Sequence, residues 1–512
     1  MSDASVRGER SSSVGLPRVG AWLRAALRPE SGPLVARWFH AALALVFAIA
    51  FASLWSQLDL LYLAGGLAPI EEVRAAARAQ PAVRFLDAPT VFWWGATDSW
   101  LRAGVIAGVV LSLVAAVGVA TRPLLVALTL LYLSYAQLGA PFTAFQWDNL
   151  LLECGLLAAL LPRDRRAPLV HALLLLLWFK LYFESGIAKL RSPAGDWLDG
   201  SAMSFYYETA PLPTRLGWYA HNLPSWWHAL ESRAMLVVEL GVPWLALFAG
   251  APRRIALVVV TGFMLINLAT ANYGFFVYLS LALHLFLLSD DALTRLSVRL
   301  GAPWLVRARP TAPRPRWRRR AAAAIAGIAA IGWCGLSLAE GVATFSREPS
   351  PLREPLAALR PFHLAHSYHL FAQITTVRVE PEFQVLAAAD DHGDAPPFRP
   401  VHLHYKPGPL DRPPPRVAPH QPRVDFQLWF YGLSLQRTPA YVRRLALLLC
   451  AEPTRAQPLF ATALPPDPAA VRLQFWRYQF TTPSERSERG DVWRRELVAT
   501  TQALPCRRAR AR

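Results

Sequence analysis

Long apolar blocks separated by short polar stretches dominate the chain between about residues 39 and 338. Because a membrane-spanning helix needs about 20 mainly apolar residues, the pattern predicts about eight or nine spans. The predicted spans are 39–63, 101–120, 123–139, 149–162, 168–190, 233–250, 254–270, 273–289 and 321–340. We therefore expect a membrane all-α protein, built as a polytopic helical bundle.

The pattern changes after residue 341, where the long apolar blocks become scarce. Three segments alternate β-branched or aromatic side chains with polar ones, as strands do. These segments are 373–386, 398–405 and 471–481. Residues 443–450 have the spacing of a helix. We expect a strand-dominated α+β domain at 341–505, followed by a basic tail at 506–512.

The arginines predict the orientation of the bundle, because short basic loops stay on the cytoplasmic side. The lead 1–37 is basic and precedes the first predicted span. Nine alternating spans place the other basic loops on that same side: Arg122, residues 163–166, Arg253, Arg254 and the linker 290–320. The membrane domain would then cover 38–340 with an outer loop at 191–232, and 341–505 would be extracytoplasmic.

The composition, 54% hydrophobic and only 17% charged, also indicates a membrane protein. The net charge of +18 would suit nucleic acid, but the arginines lie mainly between apolar blocks and no basic face carries interleaved aromatic residues. We expect the lipid bilayer as a partner and no nucleic acid. We expect no cofactor either, since the sequence has no glycine-rich phosphate loop.

Cysteine and asparagine usage bear on the compartment. The sequence has no Asn-x-Ser/Thr sequon and is rich in Ala, Arg and Pro, which favours the inner membrane of a bacterium. Cys154 and Cys334 fall in apolar blocks, whereas Cys450 and Cys506 lie in the C-terminal region. The latter two could form a disulfide in an oxidising compartment, or could be two free thiols.

Polar residues cluster at the predicted outer ends of the fourth and fifth spans and in the loop that follows. The cluster comprises Gln146, Trp147, Asp148, Glu153, Lys180, Glu184, Asp196, Trp197, Glu208 and His221, together with Lys189. Charged groups within a bilayer normally face the bundle interior, pair with each other and mark function. The alternative is structural: Lys180–Glu184 or Asp148–Lys189 pairs would pin helices together.

Lysine is rare in this chain. Of 53 lysines and arginines, only Lys180, Lys189 and Lys406 are lysine, so two of the three belong to one membrane segment. A desolvated lysine can lose its proton, whereas arginine effectively cannot. This placement is consistent with a need for a deprotonatable amine.

The motifs FQWDNLLLECG (145–155), WFKLYFESGIAKL (178–190), YYETAPLPT (206–214) and NYGFF (272–276) resemble the lipase maturation factor family. The segment HQPRVDFQLWF (420–430) resembles its C-terminal signature, although Phe426 and Leu428 stand where tryptophan and methionine are commoner. Its candidate residues are His420, Gln421, Pro422, Arg423, Asp425 and Trp429. The resemblance implies a multi-pass, non-enzymatic factor that helps secreted lipases mature. In animals it would reside in the endoplasmic reticulum membrane, with a client protein at its outer face.

A shorter stretch, from Tyr182 to Lys189 and on to Asp196 and Trp197, resembles the membrane domain of the vitamin K-dependent γ-carboxylase. That resemblance implies an alternative function, in which Lys189 is a catalytic base acting on a quinone or another lipid-soluble substrate. Ala188 stands in place of the motif's neighbouring lysine. We favour the other interpretation of this stretch, a shared helix-packing pattern with glycine for close approach and lysine at the interface.

Other candidate chemistry is weak. His363, His366 and His369 have spacing that would suit a metal only on a helix, and no carboxylate or cysteine accompanies them, so we expect no metal. No GxSxG motif is present, so the chain is not expected to be a lipase itself.

Overall fold

The computed structural model describes residues 30–80, 84–301, 315–346, 350–388 and 397–506. Its first part is a helical bundle. In chain order the helices are α1 (Pro33–Trp55), α2 (Leu58–Leu61), α3 (Ile70–Ala79), α4 (Asp98–Ala116), α5 (Thr121–Leu138), α6 (Gln146–Leu160), α7 (Pro168–Leu190), α8 (Asp196–Asp199), α9 (Ala202–Thr209), α10 (Arg215–His221), α11 (Ser225–Leu240), α12 (Val242–Ala246), α13 (Ala251–Thr270), α14 (Phe276–His284), α15 (Asp290–Arg299) and α16 (Arg316–Phe345).

Each of the nine predicted spans coincides with a helix, but the predicted count of eight or nine is not confirmed. Within the described ranges, five helices are long and apolar enough to cross a membrane: α1, α4, α7, α13 and α16. A sixth span is possible if α14 and α15, which meet at 112°, count as one broken span. Helix α6 has 15 residues and is about 22 Å long, shorter than a bilayer core of about 30 Å.

Helix α1 lies in the middle of the bundle. Phe39, Phe47 and Phe51 of this helix are fully buried. Helix α4 approaches closely because it has Gly108 at the contact, where a Cβ would lie 2.5 Å from the Phe51 ring. We call the end of the bundle that lies beside the C-terminal region the outer end, and the opposite end the inner end. At the inner end, the Asp290 carboxylate accepts hydrogen bonds from the first backbone N–H groups of α1, a favourable place for a negative charge. The bundle therefore closes around its first helix.

The C-terminal region combines an antiparallel sheet with helices. Its elements are α17 (Arg353–Leu359), β1 (Arg378–Ala387), β2 (Arg399–Val401), α18 (Arg423–Leu433), α19 (Ala440–Ala451), α20 (Pro453–Ala456), β3 (Pro468–Phe480), α21 (Pro483–Arg489), β4 (Trp493–Thr500) and β5 (Leu504–Pro505). The strand order is β2-β1-β3-β4, and β5 pairs with the start of β3. Helices α18 and α19 pack on β1 and β3 respectively.

Two predictions for this region need correction. Strands do not dominate it, because its helices are together about as long as its strands. The strand predicted from residue 373 begins only at Arg378, since the residues before it lie against the bundle instead of the sheet. Of the two alternatives for the outer cysteines, the structure has the disulfide: Cys450 of α19 is bonded to Cys506, just after β5.

Candidate functional site

The outer mouth of the bundle is occupied by the chain's own residues 363–374, which we call the docking segment. This segment lies between α17 and β1 in the sequence. Its backbone and side chains bind most of the polar candidate residues that lie on α6 and α7. Those residues therefore do not surround one open site but anchor a length of backbone.

Glu153 is the centre of the deepest part of this contact. Its carboxylate accepts hydrogen bonds from Tyr368 Oη at 2.6 Å and from Trp333 Nε1 of α16 at 2.8 Å. Lys180 Nζ lies 2.9 Å from the same carboxylate and also donates to Ser337 Oγ at 3.1 Å. All of these side chains are buried. The Glu153 carboxylate is thus neutralised by Lys180 of α7 and receives hydrogen bonds from α16 and from the docking segment.

Glu184, one turn above Lys180, binds the docking segment directly. Its Oε2 accepts the backbone N–H of Tyr368 at 2.6 Å and Ser367 Oγ at 3.1 Å. The predicted Lys180–Glu184 pair is therefore wrong: the lysine turns to Glu153 on the neighbouring helix. A carboxylate that receives two hydrogen bonds fixes the backbone at Tyr368.

Lys189 pairs with Glu239 of α11, at 2.7 Å, and also donates to the backbone carbonyl of Leu370 at 2.8 Å. The predicted Asp148–Lys189 pair is wrong as well. The Lys189 ammonium lies 5.2 Å from the centre of the Trp197 ring, which adds a cation–π contact. Lys189 also lines an apolar cavity of about 360 Å³ between α7, α11 and α13.

Two more predicted residues bind the backbone of the docking segment. Asp196 Oδ2 accepts the backbone N–H of Ile374, at the end of the segment, at 2.8 Å. Gln146 Oε1 accepts that of His369, next to Tyr368, at 3.0 Å. The docking segment is therefore fixed by side chains at its centre and at its C-terminal end.

The HQPR-led signature forms a second contact with the bundle, which sequence patterns did not place. Arg423, at the first turn of α18, makes two hydrogen bonds to the Asp148 carboxylate, at 3.1 and 3.2 Å. The guanidinium also donates to Tyr132 Oη and to the Phe142 carbonyl. Both charged side chains are fully buried. This two-pronged geometry is the strongest kind of ion pair.

The residues before Arg423 bind the outer end of α1. Ser53 Oγ lies 2.9 Å from His420 Nδ1 and accepts the backbone N–H of Gln421 at the same distance. Gln57 bridges the backbone on both sides of Pro422, by donating to Gln421 O and accepting Arg423 N–H. The signature thus binds the last turn of α1 and the residues just after it.

The outer loop supplies a third contact. Trp429 Nε1 donates to the Thr209 carbonyl at 2.8 Å, and Glu208 Oε2 accepts the Phe480 N–H at 2.7 Å. His221 lies 3.6 Å from Glu208, but burial lowers the pKa of His221 to about 4, so the imidazole is neutral near pH 7 and the contact is not an ion pair. Trp147 stacks on Phe145 at 4.7 Å and packs against Phe426 of α18 at 5.2 Å.

A buried charge cluster lies inside the C-terminal region, next to these contacts. Glu380 is paired with Arg378 at 2.6 Å and with Lys406 at 2.8 Å. Burial raises the pKa of Asp425 to about 7, against the effect of Lys406, and lowers the pKa of Lys406 to about 8. Arg378 also donates to the carbonyls of Glu208, Ala210 and Pro211. The third lysine of the chain therefore has a structural ion-pair partner.

No group of three or more His, Cys, Asp or Glu side chains in the described ranges could hold a metal ion. His363 and His366 have ring centres 5.1 Å apart, and His363 Nδ1 lies 2.8 Å from Asn149 Oδ1. The histidines predicted as weak metal candidates thus belong to the docking segment and its surroundings.

Three important residues were missed because their partners are distant in sequence. Tyr368 stood among the histidines, and Glu239 lay within the predicted sixth span, 233–250. Asn272 joins the bundle to the C-terminal region by accepting the N–H groups of Val417 and Ala418, and by donating to Pro415 O. A tyrosine beside the histidines and an asparagine at the end of α13 were the available signals.

Comparisons with known proteins identify the family of both regions. Residues 34–295 match the lipase maturation factor transmembrane domain, and residues 364–503 match the lipase maturation factor C-terminal domain. No solved structure gives a significant match.

Among curated proteins, the chain is 29% identical to lipase maturation factor 2 of Homo sapiens, over 90% of this chain and 81% of that protein. It is 27% identical to lipase maturation factor 1 of Homo sapiens, over 80% of this chain and 76% of that protein. These matches lend no support to the carboxylase alternative. The chain is a multi-pass membrane protein and belongs to the lipase maturation factor family.

Proposed function

We propose that this chain is a membrane maturation factor, which holds its C-terminal domain rigidly on the outer mouth of the bundle and presents that domain to secreted client proteins. The proposed clients are lipases or proteins that resemble them, in line with the names of the relatives. The division we propose is a membrane domain at 38–340 and a client-facing domain at 341–505. The observation that carries the proposal is the saturation of the outer polar residues by the chain's own docking segment and signature.

The proposed topology places the C-terminal domain on the extracytoplasmic side, in the inner membrane of a bacterium or facing the lumen of the endoplasmic reticulum in a eukaryote. Two observations support it. Five spans, like nine, are an odd number, so the chain enters and leaves the membrane domain on opposite sides of the membrane. The disulfide between Cys450 and Cys506 suits an oxidising compartment.

The first experiment measures maturation directly. A secreted lipase is expressed with and without the full chain in a host that lacks its own maturation factor, and the secreted lipase activity is divided by the amount of secreted lipase protein. We expect the chain to raise this ratio. An unchanged ratio, with the chain present in the membrane, would contradict the proposal for lipase clients.

A paired substitution separates maturation from catalysis by Lys189. Lys189→Met with Glu239→Met replaces a buried ion pair by apolar side chains of similar size, which often leaves stability unchanged. If the pair is structural, the double variant keeps the lipase ratio at normal membrane abundance. If Lys189 is a catalytic base, the ratio falls to that of the empty host while abundance stays normal.

Client contact is tested by photo-crosslinking. Phe430 on α18 is 45% exposed on the C-terminal domain, and Ile328 on α16 is 73% exposed on the membrane helix. A photoreactive amino acid at position 430 should capture the co-expressed lipase, whereas the same group at position 328 should capture lipid alone. Equal capture of lipase at both positions would contradict presentation by the C-terminal domain.

A further inference from the structure

Helix α16 packs on the bundle only along its outer half. Its buried residues are Ala330, Trp333, Ser337, Glu340 and Ala343, and none of residues 316–329 is buried. The inner half therefore leaves a space of about 560 Å³ between α16, the start of α7 and the connection between α6 and α7. We call this space the inner wedge.

The base of the inner wedge is lined by six arginines and by no aspartate or glutamate among the described residues. These arginines are Arg122, Arg165, Arg166, Arg316, Arg319 and Arg320. Arginine keeps its charge at any physiological pH. The N-termini of α7 and α16 open onto the same space, and helix N-termini also attract anions. The base of the wedge is therefore a site for a phosphate group.

The rest of the wedge is apolar. Leu160, Leu169, Ile325 and Ala326 line it, and Leu169 and Ile325 are 45% and 59% exposed. Ile325 and Ala326 lie beyond the arginine turn of α16, in a helix long and apolar enough to span the bilayer. A ligand for the whole wedge thus needs an anionic head and a hydrocarbon tail.

We propose that the inner wedge binds one anionic phospholipid, with its phosphate among the arginines and an acyl chain against Leu169, Ile325 and Ala326. Basic pockets between membrane helices on the cytoplasmic side bind such headgroups. The described residues that line the wedge include no carboxylate that could take the place of the phosphate, and Asp164, in the connection between α6 and α7, is not among them. The lipid joins the loosely packed half of α16 to the bundle.

The test uses the full chain, purified in detergent and analysed by native mass spectrometry with added phosphatidylglycerol or phosphatidylcholine. We expect one phosphatidylglycerol to bind at least about tenfold more tightly than phosphatidylcholine, and inorganic phosphate not to displace it. Equal binding of the two lipids, or displacement by inorganic phosphate at the same concentration, would overturn the proposal.

Two variants locate the binding. The triple variant Arg316→Gln, Arg319→Gln and Arg320→Gln should weaken the binding of phosphatidylglycerol about a hundredfold, because each arginine contributes about fivefold to the affinity for an anionic surface. Arg295→Gln with Arg299→Gln, on α15 and outside the wedge, is the matched control and should leave binding unchanged. If both sets have the same effect, the site is not the wedge.

A third variant keeps every charge, and with it the signals for topology. Ala326→Phe fills the apolar part of the wedge and should abolish specific binding. Ala324→Phe, on the same helix but outside the wedge lining, should not. Unchanged phosphatidylglycerol binding in Ala326→Phe would overturn the proposed position of the acyl chain.

Discussion

At the outer end of the bundle, buried charged side chains are bound by other parts of the same chain, whereas at the inner end most arginines of the wedge have no ion-pair partner among the described residues. Asp148, Glu153 and Glu184 are bound by Arg423, Tyr368 and the Tyr368 backbone. The salt bridges that the structure shows include neither Arg165 nor Arg316. Charge at the outer end holds the C-terminal domain in place, whereas charge at the inner end has the lipid headgroup as its proposed partner.

The difference teaches that intramembrane charge does not by itself identify a catalytic site. Buried ionic groups are costly and persist where partners are supplied. At the outer end the C-terminal domain supplies those partners, so the membrane and C-terminal parts behave as one folded unit. At the inner end the proposed partner is the lipid headgroup.

The largest expected effect comes from breaking the Arg423–Asp148 pair. Arg423→Met leaves the Asp148 carboxylate buried without its cation and should cost about 3–5 kcal/mol in the free energy of unfolding. Thermal or urea unfolding of the detergent-purified chain measures the loss. Arg320→Met at the inner wedge is the matched control and should change stability by less than about 0.5 kcal/mol without lipid. Equal losses would remove the contrast between the two ends.

The next effect tests the docking segment. Tyr368→Phe removes the hydroxyl that donates to Glu153, a buried bond to a charged acceptor, and should cost about 1.5–3 kcal/mol. Tyr219, whose side chain is 49% exposed, provides the control Tyr219→Phe, which should be neutral. A neutral Tyr368→Phe would mean that Glu153 is satisfied by Lys180 and Trp333 alone.

Substitution of two glycines tests the contact between the signature and the bundle. Gly274 has φ +51°, and a Cβ there would lie 2.1 Å from Gln421 Oε1, whereas Gly250 has φ +85° and open space. Both Ala variants suffer from the positive φ, but Gly274→Ala should cost about 1 kcal/mol more, since Gln421 must leave its rotamer. A urea-unfolding series measures both. Gln421→Gly removes both the Oε1 and the Cβ, which would lie 2.1 and 2.8 Å from the new methyl group, so Gly274→Ala should carry no excess cost in that background. An excess that persists there would rule out this contact as the cause.

The last expected effect is a pH dependence of stability that arises in the C-terminal region. The folded pKa of Asp425, about 7, is above its ordinary value of 3.8, so its contribution to stability falls as pH rises between these values. Asp425→Asn should therefore flatten the loss of thermal stability between about pH 5 and about pH 7. An identical pH profile in the variant would contradict the assigned pKa.

The sequence predicted the helical bundle well because apolar blocks of span length are explicit in the residues. It also identified Asp148, Glu153, Lys180, Glu184 and Lys189 as special. It could not predict their partners, because Tyr368, Glu239 and Arg423 are 50 to 275 residues away from the side chains they bind, and periodicity carries no long-range pairing. Local reasoning therefore proposed the i,i+4 pair within α7, whereas tertiary packing selected Glu153 for Lys180.

Short helices explain part of the disagreement over spans. The predicted fourth and sixth spans correspond to α6 and α11, whose 15 and 16 residues are fewer than in the five helices that are long and apolar enough to cross a membrane. Helix α18 was not predicted, because Pro422 and the polar residues around it obscure its start. Its first residue, Arg423, is buried in an ion pair with Asp148, which the local sequence does not indicate.

The most direct test of the account is hydrogen–deuterium exchange at the backbone N–H groups of Tyr368, His369 and Ile374 in the full chain. Each of these groups donates to a side chain of the bundle or its outer loop. We predict that they exchange as slowly as amides inside α7, and that Glu184→Gln with Asp196→Asn accelerates them while α7 stays protected. Exchange as fast as that of an exposed loop in the unmodified chain would contradict the docking of residues 363–374.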